Sequence, residues 1–293
     1  MDNTTALLID FNNVLYAHYY TKPLMNSKGQ NINAIKGFLM RLKNLREIYN
    51  PKYIVICHDV SRERTFRREL YKDYKGQRGT TDSDVRWQMD RTIQLLALMG
   101  YPILGNERFE ADDFIGMTSH LLTELGMNSV IVSADKDLYQ LVNDHTCIWS
   151  FRKGITVDEG YMMHEFGLRP DQWVDLKILQ GDKSDNIPGI GGIGEKTALQ
   201  LMKGFGSIQG IYNNITKLSP TLKDKLMEGK DNIPLTRKLV TIVTDYKLMG
   251  IDESVLHRTE PFIDEVYSVL RELEIPSLFN VIRYDLLPKT LNI

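Results

Sequence analysis

Short apolar runs alternate with longer segments of helical period through the first half of the chain, and the runs end at acidic residues. The run 6–9 stops at Asp10, and the run 53–57 stops just before His58 and Asp59. Uninterrupted apolar runs of this length are typical of buried parallel strands. Between them, apolar residues recur at helical spacing over 33–49, which predicts a helix. A strand, a helix and a second strand in this order form the right-handed unit of α/β folds.

The same alternation continues to about residue 170, and a helical pattern follows it. Further strands are predicted at 101–104, 129–133, 146–150 and 155–157, the last two as a hairpin. Further helices are predicted at 83–99, 110–125, 136–142, 171–180, 197–203, 221–227, 234–243 and 265–273. We therefore expect an α/β domain with a mostly parallel sheet flanked by helices over residues 1–170, and a helical region over residues 171–293.

Carboxylates follow the predicted strands, and the carboxyl ends of parallel strands lie at one edge of a sheet. With the acidic residues at neighbouring helix starts and turns, nine are expected to share one cleft: Asp10, Asp59, Glu110, Asp112, Asp113, Asp135, Asp137, Asp182 and Asp185. Taken singly, they are explained in ordinary ways: Asp112, Asp113, Asp135 and Asp137 as helix caps, Asp10 and Asp59 as strand ends, and Asp182 and Asp185 as solvated turn residues. Together they would repel one another strongly unless cations were bound. Oxygen ligands favour Mg²⁺ or Mn²⁺, and two such ions about 4 Å apart suit phosphodiester hydrolysis.

A glycine-rich segment, Gly181 to Ala198, begins with the last two of these aspartates. Its Gly189-x-Gly191-x-x-Gly194 spacing matches the dinucleotide fingerprint, but no strand precedes it and no acidic residue stands about 20 positions later. It is not a P-loop either, because Glu195 precedes Lys196. Such glycines still let main-chain N–H groups approach a phosphate, so the segment can hold a nucleic-acid backbone without base recognition.

Composition places the chain among ordinary globular proteins. Of its 293 residues, 42% are hydrophobic and 25% are charged, and no run approaches the roughly 18 apolar residues of a membrane span. No secretory signal is visible, and Cys57 and Cys147 lie in apolar runs, so we expect a reduced, cytoplasmic location. The net charge of −2 is low for a nucleic-acid binder, but residues 62–78 contain seven basic and three acidic side chains.

Four motifs together resemble the flap endonuclease and 5′-nuclease family, which includes the 5′-3′ exonuclease domain of bacterial DNA polymerase I and standalone phage enzymes of the RNase H type. They are Tyr74–Arg78, Phe109–Asp113, Ser133–Leu138 and Gly181–Ala198, in family order and spacing. One departure is that Phe11 follows Asp10, where the family commonly has glycine; this leaves the shape of the neighbouring turn open.

The resemblance implies a PIN-like nuclease core and assigns roles to particular residues. Lys75 and Arg78 would be the catalytic cations that polarise the scissile phosphate, and residues 67–99 would form a helical arch over a single-stranded 5′ end. Asp10, Asp59, Glu110, Asp112 and Asp113 would lie nearer the nucleophile, with the other four aspartates at the second ion or ions. Residues expected to contact DNA are Arg67, Tyr71, Tyr74, Gly189, Gly191, Gly192, Gly194 and Lys196. The alternative for the tyrosines is that they brace helices, and for Lys196 that it is solvated.

By the same resemblance, residues 182–205 form a helix-hairpin-helix that grips duplex DNA, often with a K⁺ ion on its main-chain carbonyls. The implied activity is a structure-specific 5′ nuclease that removes 5′ flaps and RNA primers in replication and repair. Its partners would be DNA with a 5′ flap, a nick or an RNA-primed 5′ end, and a single-strand binding protein or a separate polymerase. We expect a freestanding monomer without a membrane contact, in the host cytoplasm if a phage encodes it. Two alternatives remain, a PIN-type ribonuclease and a DNA-junction binding protein without catalysis.

Overall fold

A six-stranded sheet forms the centre of the computed structural model, which describes residues 5–61, 63–279 and 282. Its spatial order is β3-β2-β1-β4-β5-β6, and every neighbouring pair is parallel except β5 with β6. The strands are β1 (Thr5–Asp10), β2 (Tyr53–Cys57), β3 (Ile103–Leu104), β4 (Asn128–Val132), β5 (Thr146–Ser150) and β6 (Ile155–Val157). The expected mostly parallel sheet is confirmed, although β3 is shorter than the sequence pattern predicts.

The register of the central strands brings their carboxyl ends level with one another. Asp10 at the end of β1 pairs with Cys57 at the end of β2, and Ile9 pairs with Val132 at the end of β4. The residues that follow these strands therefore leave the sheet at the same edge. This is the edge at which ligands bind in open α/β sheets.

Twelve α-helices surround or follow the sheet in the described part of the chain. They are α1 (Phe11–Tyr19), α2 (Asn33–Tyr49), α3 (Phe66–Leu70), α4 (Ser83–Leu98), α5 (Ala111–Glu124), α6 (Glu159–Phe166), α7 (Trp173–Gln180), α8 (Glu195–Phe205), α9 (Ile208–Asn213), α10 (Pro220–Gly229), α11 (Ile233–Val240) and α12 (Ile263–Glu272). None of the described helices is long and apolar enough to cross a bilayer.

Alternate side chains of the strands enter two separate cores. Leu7 and Ile9 face a core that includes residues of α1, α2, α4 and α12. Ala6 and Leu8 face the other core, which includes residues of α5 and most of the helices after β6. Because side chains alternate across a strand, one short apolar run supplies both cores.

The helix α1 was not predicted from the sequence, and it explains the residue that replaces the usual glycine. Asp10 is the N-cap, and its Oδ1 accepts a hydrogen bond of 3.2 Å from the backbone N–H of Asn13. Phe11, Val14 and Leu15 are buried at helical spacing. The chain therefore turns from strand to helix at Asp10, and Phe11 fills the core below the turn.

Helix α4, which lies within the range 67–99 expected to form an arch, packs one face into the core, and the arch itself stays a prediction. Leu95 and Leu96 of α4 are buried in the core shared with α2, and Gln88 Oε1 accepts a 2.9 Å hydrogen bond from Ala34 N at the start of α2. These buried positions were not recognised in the sequence, because most residues of α4 around them are polar. The exposed part of the segment is the connection between α3 and α4.

Candidate active site

Asp10 lies at the centre of the sheet edge and is held from two sides. Besides its cap contact with Asn13, its Oδ2 accepts a 2.6 Å hydrogen bond from the Ser133 hydroxyl, which follows β4. Burial raises the pKa of Asp10 to about 7, with further repulsion from Asp135 and Asp59, although the bond from Ser133 lowers it. These three strand-end carboxylates are thus brought together, as the sequence predicts.

The start of α5 adds carboxylates beside β2. Asp59 Oδ1 accepts a 2.7 Å hydrogen bond from Ala111 N, the first residue of α5, while Asn12 Oδ1 accepts from Asp59 N at 2.9 Å. Burial raises the pKa of Asp59, and burial together with repulsion from Asp135 and Asp10 raises the pKa of Asp112 well above its usual value. The helix N-terminus favours negative charge but does not remove this repulsion.

A short 3-10 helix, Asp137–Leu141, carries the site beyond β4. Ser133 Oγ accepts a 3.0 Å hydrogen bond from Asp135 N, and Asp135 Oδ1 accepts one of 2.9 Å from Asp137 N. Burial, together with repulsion from Asp135, raises the pKa of Asp137 to about 7, although the neighbouring Lys177 lowers it. The serine hydroxyl therefore ties Asp10 to the backbone that presents Asp135.

The loop at the start of the glycine segment, directly after α7, supplies Asp182 and Asp185. Two backbone hydrogen bonds join Asp182 and Ile187, at 2.9 and 2.8 Å, and close the loop. Asp182 Oδ1 accepts from the backbone N–H groups of Ser184 at 2.7 Å and Asp185 at 3.1 Å. The loop conformation is therefore built around the Asp182 side chain.

Lys177 is a site residue that sequence reasoning missed. Its ammonium group binds both Asp137 Oδ1 and Asp182 Oδ2, and so joins the 3-10 helix to the loop. The pKa of Asp182 lies below its usual value although burial raises it, because Lys177 and Ser184 donate hydrogen bonds to the carboxylate. A lysine one turn before an acidic loop is the signal that was available in the sequence.

Lys75 and Arg78 lie opposite this loop, at the beginning of the exposed connection between α3 and α4. Lys75 Nζ is 2.5 Å from Glu110 Oε1 and 3.6 Å from Asp185 Oδ2, and an Arg78 Nη atom is 2.5 Å from Asp185 Oδ1. The backbone N–H of Lys75 also donates to the carbonyl of Asp185, at 2.8 Å, with Lys75 at a positive φ of 51°. These contacts place both predicted catalytic cations among the carboxylates.

Two of the predicted DNA contacts are wrong, because Arg67 and Tyr74 are buried. Arg67 is 3% exposed and Tyr74 is 2% exposed, so neither side chain can reach a base or a phosphate on the surface. The Tyr74 hydroxyl instead donates to Glu110 Oε2 at 2.8 Å and lies 3.2 Å from Asp185 Oδ2. Tyr74 therefore braces the carboxylates, whereas Tyr71 is half-buried against the core and its DNA contact stays a prediction.

Asp113 does not belong to the cleft, so its place among the predicted metal ligands is wrong. Its side chain is fully buried, and both carboxylate oxygens accept from the guanidinium of Arg67, at 2.6 and 2.7 Å. Asp113 Oδ2 also accepts a 3.1 Å hydrogen bond from the backbone N–H of Glu110, and this bond is part of the capping box of α5. With these partners the Asp113 oxygens are not open to an ion.

The glycine segment forms a hairpin before α8 that presents its backbone outward. Gly191, Gly192 and Gly194 are exposed, and so is Lys196 in the first turn of α8. Gly189 is required for packing, because an added Cβ would lie 2.3 Å from the backbone N of Gly181. The hairpin is thus fixed against the acidic loop while its outer face is open to a ligand.

Eight of the nine predicted carboxylates share the cleft, and their chemistry fits hard divalent cations. Four of them, Asp10, Asp59, Asp112 and Asp137, have a raised pKa, so the protein cations do not balance the negative charge. In residues 5–61, 63–279 and 282, no three acidic, histidine or cysteine side chains are already arranged around one point as the ligands of an ion. Lys75, Arg78 and Lys177 stand between the carboxylates, so ion binding would require these cations to move aside.

An open cavity of about 620 Å³ lies next to the carboxylate cleft, along the connection between α3 and α4. Asp59, Lys75 and Arg78 line one side of it, and Arg86 and Asp90 of α4 line the other. Of the eight carboxylates, Asp59 lines this cavity, so the cavity opens onto the site at Asp59.

Comparison with known proteins agrees with this arrangement. Residues 5–167 match the family model described as the 5′-3′ exonuclease N-terminal resolvase-like domain. Residues 168–261 match the model described as the 5′-3′ exonuclease C-terminal SAM fold. The chain belongs to the 5′-3′ exonuclease family. The family resemblance inferred from the four motifs is confirmed.

Relatives in this family include DNA polymerase I of Streptococcus pneumoniae, 38% identical over 266 residues, and thermostable DNA polymerase I of Thermus thermophilus, 34% identical over 277 residues. The matches cover 87% and 94% of this chain but 30% and 32% of the polymerases. The chain therefore spans about a third of the length of these relatives.

Solved structures with the same fold include the T5 5′-exonuclease with bound zinc ions, with a TM-score of 0.67 and 20% identity over 92% of this chain and 99% of that one. The catalytic core of Rad2 in complex with a DNA substrate has a TM-score of 0.61 and 18% identity, over 98% of this chain and 93% of that one. At these identities the likeness confirms the fold of the 5′-3′ exonuclease family.

Proposed function

We propose that the chain is a divalent-metal-dependent 5′ nuclease that hydrolyses phosphodiester bonds at 5′ flaps, nicks and RNA-primed 5′ ends in DNA replication and repair. The observation that carries the proposal is one row of eight carboxylates with Lys75 and Arg78 among them, next to an exposed glycine hairpin. Family membership supports the reaction class, and the relatives of known structure include one with bound divalent metal ions and one with DNA.

The proposed cofactors are two or more Mg²⁺ or Mn²⁺ ions held by the carboxylates of the cleft. Bound there, the ions would supply Lewis-acid polarisation of the phosphate and would lower the pKa of the attacking water. A K⁺ ion at the hairpin is a separate part of the proposal. Two hairpin carbonyls already accept protein donors, Pro188 from Thr236 at 3.2 Å and Gly192 from Lys225 at 3.2 Å. The K⁺ site is tested by DNA binding in K⁺ against a larger organic cation at equal ionic strength.

The side chains of the chain itself would bind and orient the substrate. The hairpin N–H groups and Lys196 would hold a duplex phosphate, and this contact carries no base sequence. Lys75 and Arg78 would turn from Glu110 and Asp185 to the scissile phosphate and stabilise the charge that grows on its oxygens as water attacks. Tyr74 and Ser133 would keep Glu110, Asp185 and Asp10 in place through their hydroxyl groups.

The proposed partners follow from the same chemistry. The junction of a 5′ flap, nick or RNA-primed end is the substrate, and a single-strand binding protein or a separate polymerase would act at the same junction. We propose that the chain works as a monomer, because the hairpin and all eight carboxylates come from one chain. We also propose a cytoplasmic location, which the free cysteines Cys57 and Cys147 support.

The test compares cleavage of a 5′-flap DNA, labelled at either end, with Mg²⁺, Mn²⁺ or EDTA. A variant carrying Asp135→Asn and Asp182→Asn removes one carboxylate from the segment after β4 and one from the loop next to the hairpin. The matched control is Asp171→Asn, because Asp171 is an exposed carboxylate that pairs with Arg169 away from the cleft. Metal-dependent cuts near the junction, lost in the double variant and kept in the control, are the expected result.

Two other outcomes would contradict the proposal in different ways. Faster cleavage of linear RNA than of the DNA flap would favour a PIN-type ribonuclease. Tight binding of the flap without cleavage in either metal would favour a junction-binding protein.

A further inference from the structure

The carboxylate cleft is assembled from two parts of the chain that must stay in register. Six of its acidic residues follow strands of the sheet or begin α5, whereas Asp182 and Asp185 belong to the loop next to the hairpin. The two parts are joined inside the cleft by Lys177, Lys75 and Arg78. These are the side chains that bound cations and a phosphate would displace. A filled cleft would keep the hydroxyl bridge of Tyr74 from Glu110 to Asp185 and needs a further connection between the two parts.

A connection of this kind lies outside the cleft, in residues 239–244. These residues, the last two of α11 and the four after it, form the strap. Arg67 Nε donates to the carbonyl of Leu239 at 2.9 Å, and Arg67 Nη2 donates to the carbonyl of Thr241 at 3.0 Å. Asp113 Oδ1 accepts from the backbone N–H of Val243 at 2.9 Å. With its bonds to Asp113 and Glu110, Arg67 uses all five of its N–H donors, so its position is fully determined.

The strap is also held by the segment that presents Asp137. Gln140 Oε1 accepts from Ile242 N at 2.9 Å, and Gln140 Nε2 donates to the carbonyls of Val240 at 3.1 Å and Asp137 at 2.9 Å. One side chain thus joins the strap to the backbone of a cleft residue without entering the cleft.

Below the strap, α5 carries a glycine where any larger residue would collide. A Cβ at Gly116 would lie 2.6 Å from Ile242 Cγ2 and 2.7 Å from the carbonyl oxygen of Val243. The strap therefore rests directly on the helix whose first turn supplies Glu110 and Asp112. Its height above α5 is set by this contact.

At its other end, the strap continues from a helix attached to the hairpin side. Thr236 of α11 donates to the carbonyl of Pro188 at 3.2 Å, and Arg237 pairs with Asp175 of α7 at 2.7 Å. Ile190 of the hairpin packs against Gly229, just before α11, where an added Cβ would lie 2.8 Å from it. Strap and α11 together therefore run from the hairpin to the sheet side of the cleft.

We propose that the strap sets the register between the duplex held by the hairpin and the carboxylates of the sheet, and so selects the nucleotide at which the strand is cut. This inference rests on the proposed nuclease function. Phosphates repeat about every 3.4 Å along a strand of DNA. A change of about 1 Å in the distance between the hairpin and the carboxylate cleft is therefore a sizeable part of the spacing between two phosphates. Outside the strap, Lys75, Arg78 and Lys177 are displaced when ions and substrate bind, and the Tyr74 hydroxyl joins Glu110 to Asp185 at a single point.

The test is Gly116→Ala, which leaves every charged residue of the cleft unchanged. Apolar contacts lie at about 3.5 to 4.0 Å, so the new methyl group should lift the strap by about 1 Å. Alanine is also a good helix residue, so α5 should persist. The measurement is the position of cuts on a 5′-flap DNA at single-nucleotide resolution. We expect the share of cuts one nucleotide from the main position to rise about twofold or more, with kcat lowered about 10-fold and KM little changed, because a misplacement of 1 Å is costly at the reacting centre.

Gly160→Ala in α6 is the matched control, because the nearest atom to its added Cβ would be 3.4 Å away, an ordinary contact. It should cut as the unaltered chain does. A second variant, Ile242→Ala, loosens the strap without a collision and should also broaden the cut positions. Combined with Gly116→Ala it removes the closest contact, so the double variant should return part of the way to the normal pattern.

The outcomes separate this inference from the proposed function. If the unaltered chain makes no metal-dependent cut, the proposed function fails and the inference falls with it. If the unaltered chain cuts but the folded Gly116→Ala and Ile242→Ala variants cut at the same nucleotides in the same proportions, the inference alone is overturned. Should Gly116→Ala fail to fold, the same comparison is made with Ile242→Ala. A uniform loss of activity without a change in cut position indicates a merely structural strap and also overturns it.

Discussion

The guanidinium of Arg67 donates to both carboxylate oxygens of Asp113, at 2.6 and 2.7 Å, below the candidate active site. Arg67 is 3% exposed and Asp113 is not exposed, so neither charge has water to replace its partner. Such a pair contributes little as a pair, but removing one member leaves the other charged and buried. The pair therefore serves to fix α3, α5 and the strap relative to one another.

Replacing Arg67 with methionine should lower the free energy of unfolding by about 3 to 5 kcal/mol, because Asp113 would keep an uncompensated buried charge. Urea unfolding measures this change. Arg64→Met is the matched control, since Arg64 pairs with Glu107 at the surface and its loss should change the free energy of unfolding little. Combining Arg67→Met with Asp113→Asn should cost clearly less than the two single changes added together. Simple additivity would contradict the role given to the pair.

The convergence of Asp10, Asp59 and Asp135 was predictable from the sequence because it depends on local information. Each short apolar run identifies a strand, and parallel strands end at one edge. The difference between Asp112 and Asp113 was not predictable. Neighbouring helical residues point about 100° apart, and which of the two faces the cleft depends on Arg67 and on Val243, which lies 130 positions away.

Lys177 and α1 show two further limits of the sequence pattern. Lys177 lies on a mostly buried helix, and its role depends on Asp137, 40 positions earlier, which the fold brings next to it. In α1, Asn12 and Asn13 interrupt the apolar pattern, but both side chains are used at the site, where they accept from Asp59 N and Ala134 N. In both cases the role of the residue depends on tertiary contacts, which the local hydrophobic pattern does not predict.

Lys177→Met should make the protein without metal less stable and should enlarge the stabilisation by added Mn²⁺. The ammonium group now neutralises Asp137 and Asp182, so its removal increases their repulsion and leaves more negative charge for a cation. Thermal unfolding with and without Mn²⁺ measures both effects. Lys183→Met is the control, because Lys183 is exposed on the same loop. A smaller stabilisation by Mn²⁺ than in the unaltered chain would show that Lys177 assists ion binding instead.

Stabilisation by Mg²⁺ or Mn²⁺ should grow between pH 6 and pH 8. The pKa of Asp10 and the pKa of Asp137 are each about 7, raised mainly by burial, so the folded protein without metal holds protons that the unfolded chain has already lost. Its stability therefore falls as pH rises from about 4 through 7. Metal binding needs the deprotonated carboxylates and offsets this loss above pH 7. The increase in melting temperature on adding the ion is measured across the pH range, with EDTA to reverse it. Equal increases at pH 6 and pH 8, or an equal increase in a variant with Asp10→Asn and Asp137→Asn, would be inconsistent with these ligands.

Arg78→Ala should lower kcat on a flap substrate by about 10²-fold while leaving ion binding intact or slightly stronger. The Arg78 guanidinium lies 2.5 Å from Asp185 Oδ1, where it competes with a cation, and it would act on the phosphate once the substrate is bound. Lysine at this position keeps the charge but not the forked geometry, so Arg78→Lys should recover part of the loss. Single-turnover cleavage measures kcat, and thermal unfolding with Mn²⁺ measures ion binding in the same samples.

Arg64→Ala, which removes an exposed arginine that pairs with Glu107, is the control for lost positive charge. Loss of cleavage together with loss of stabilisation by Mn²⁺ would mean that Arg78 supports the metal site, and unchanged cleavage would remove it from the catalytic set.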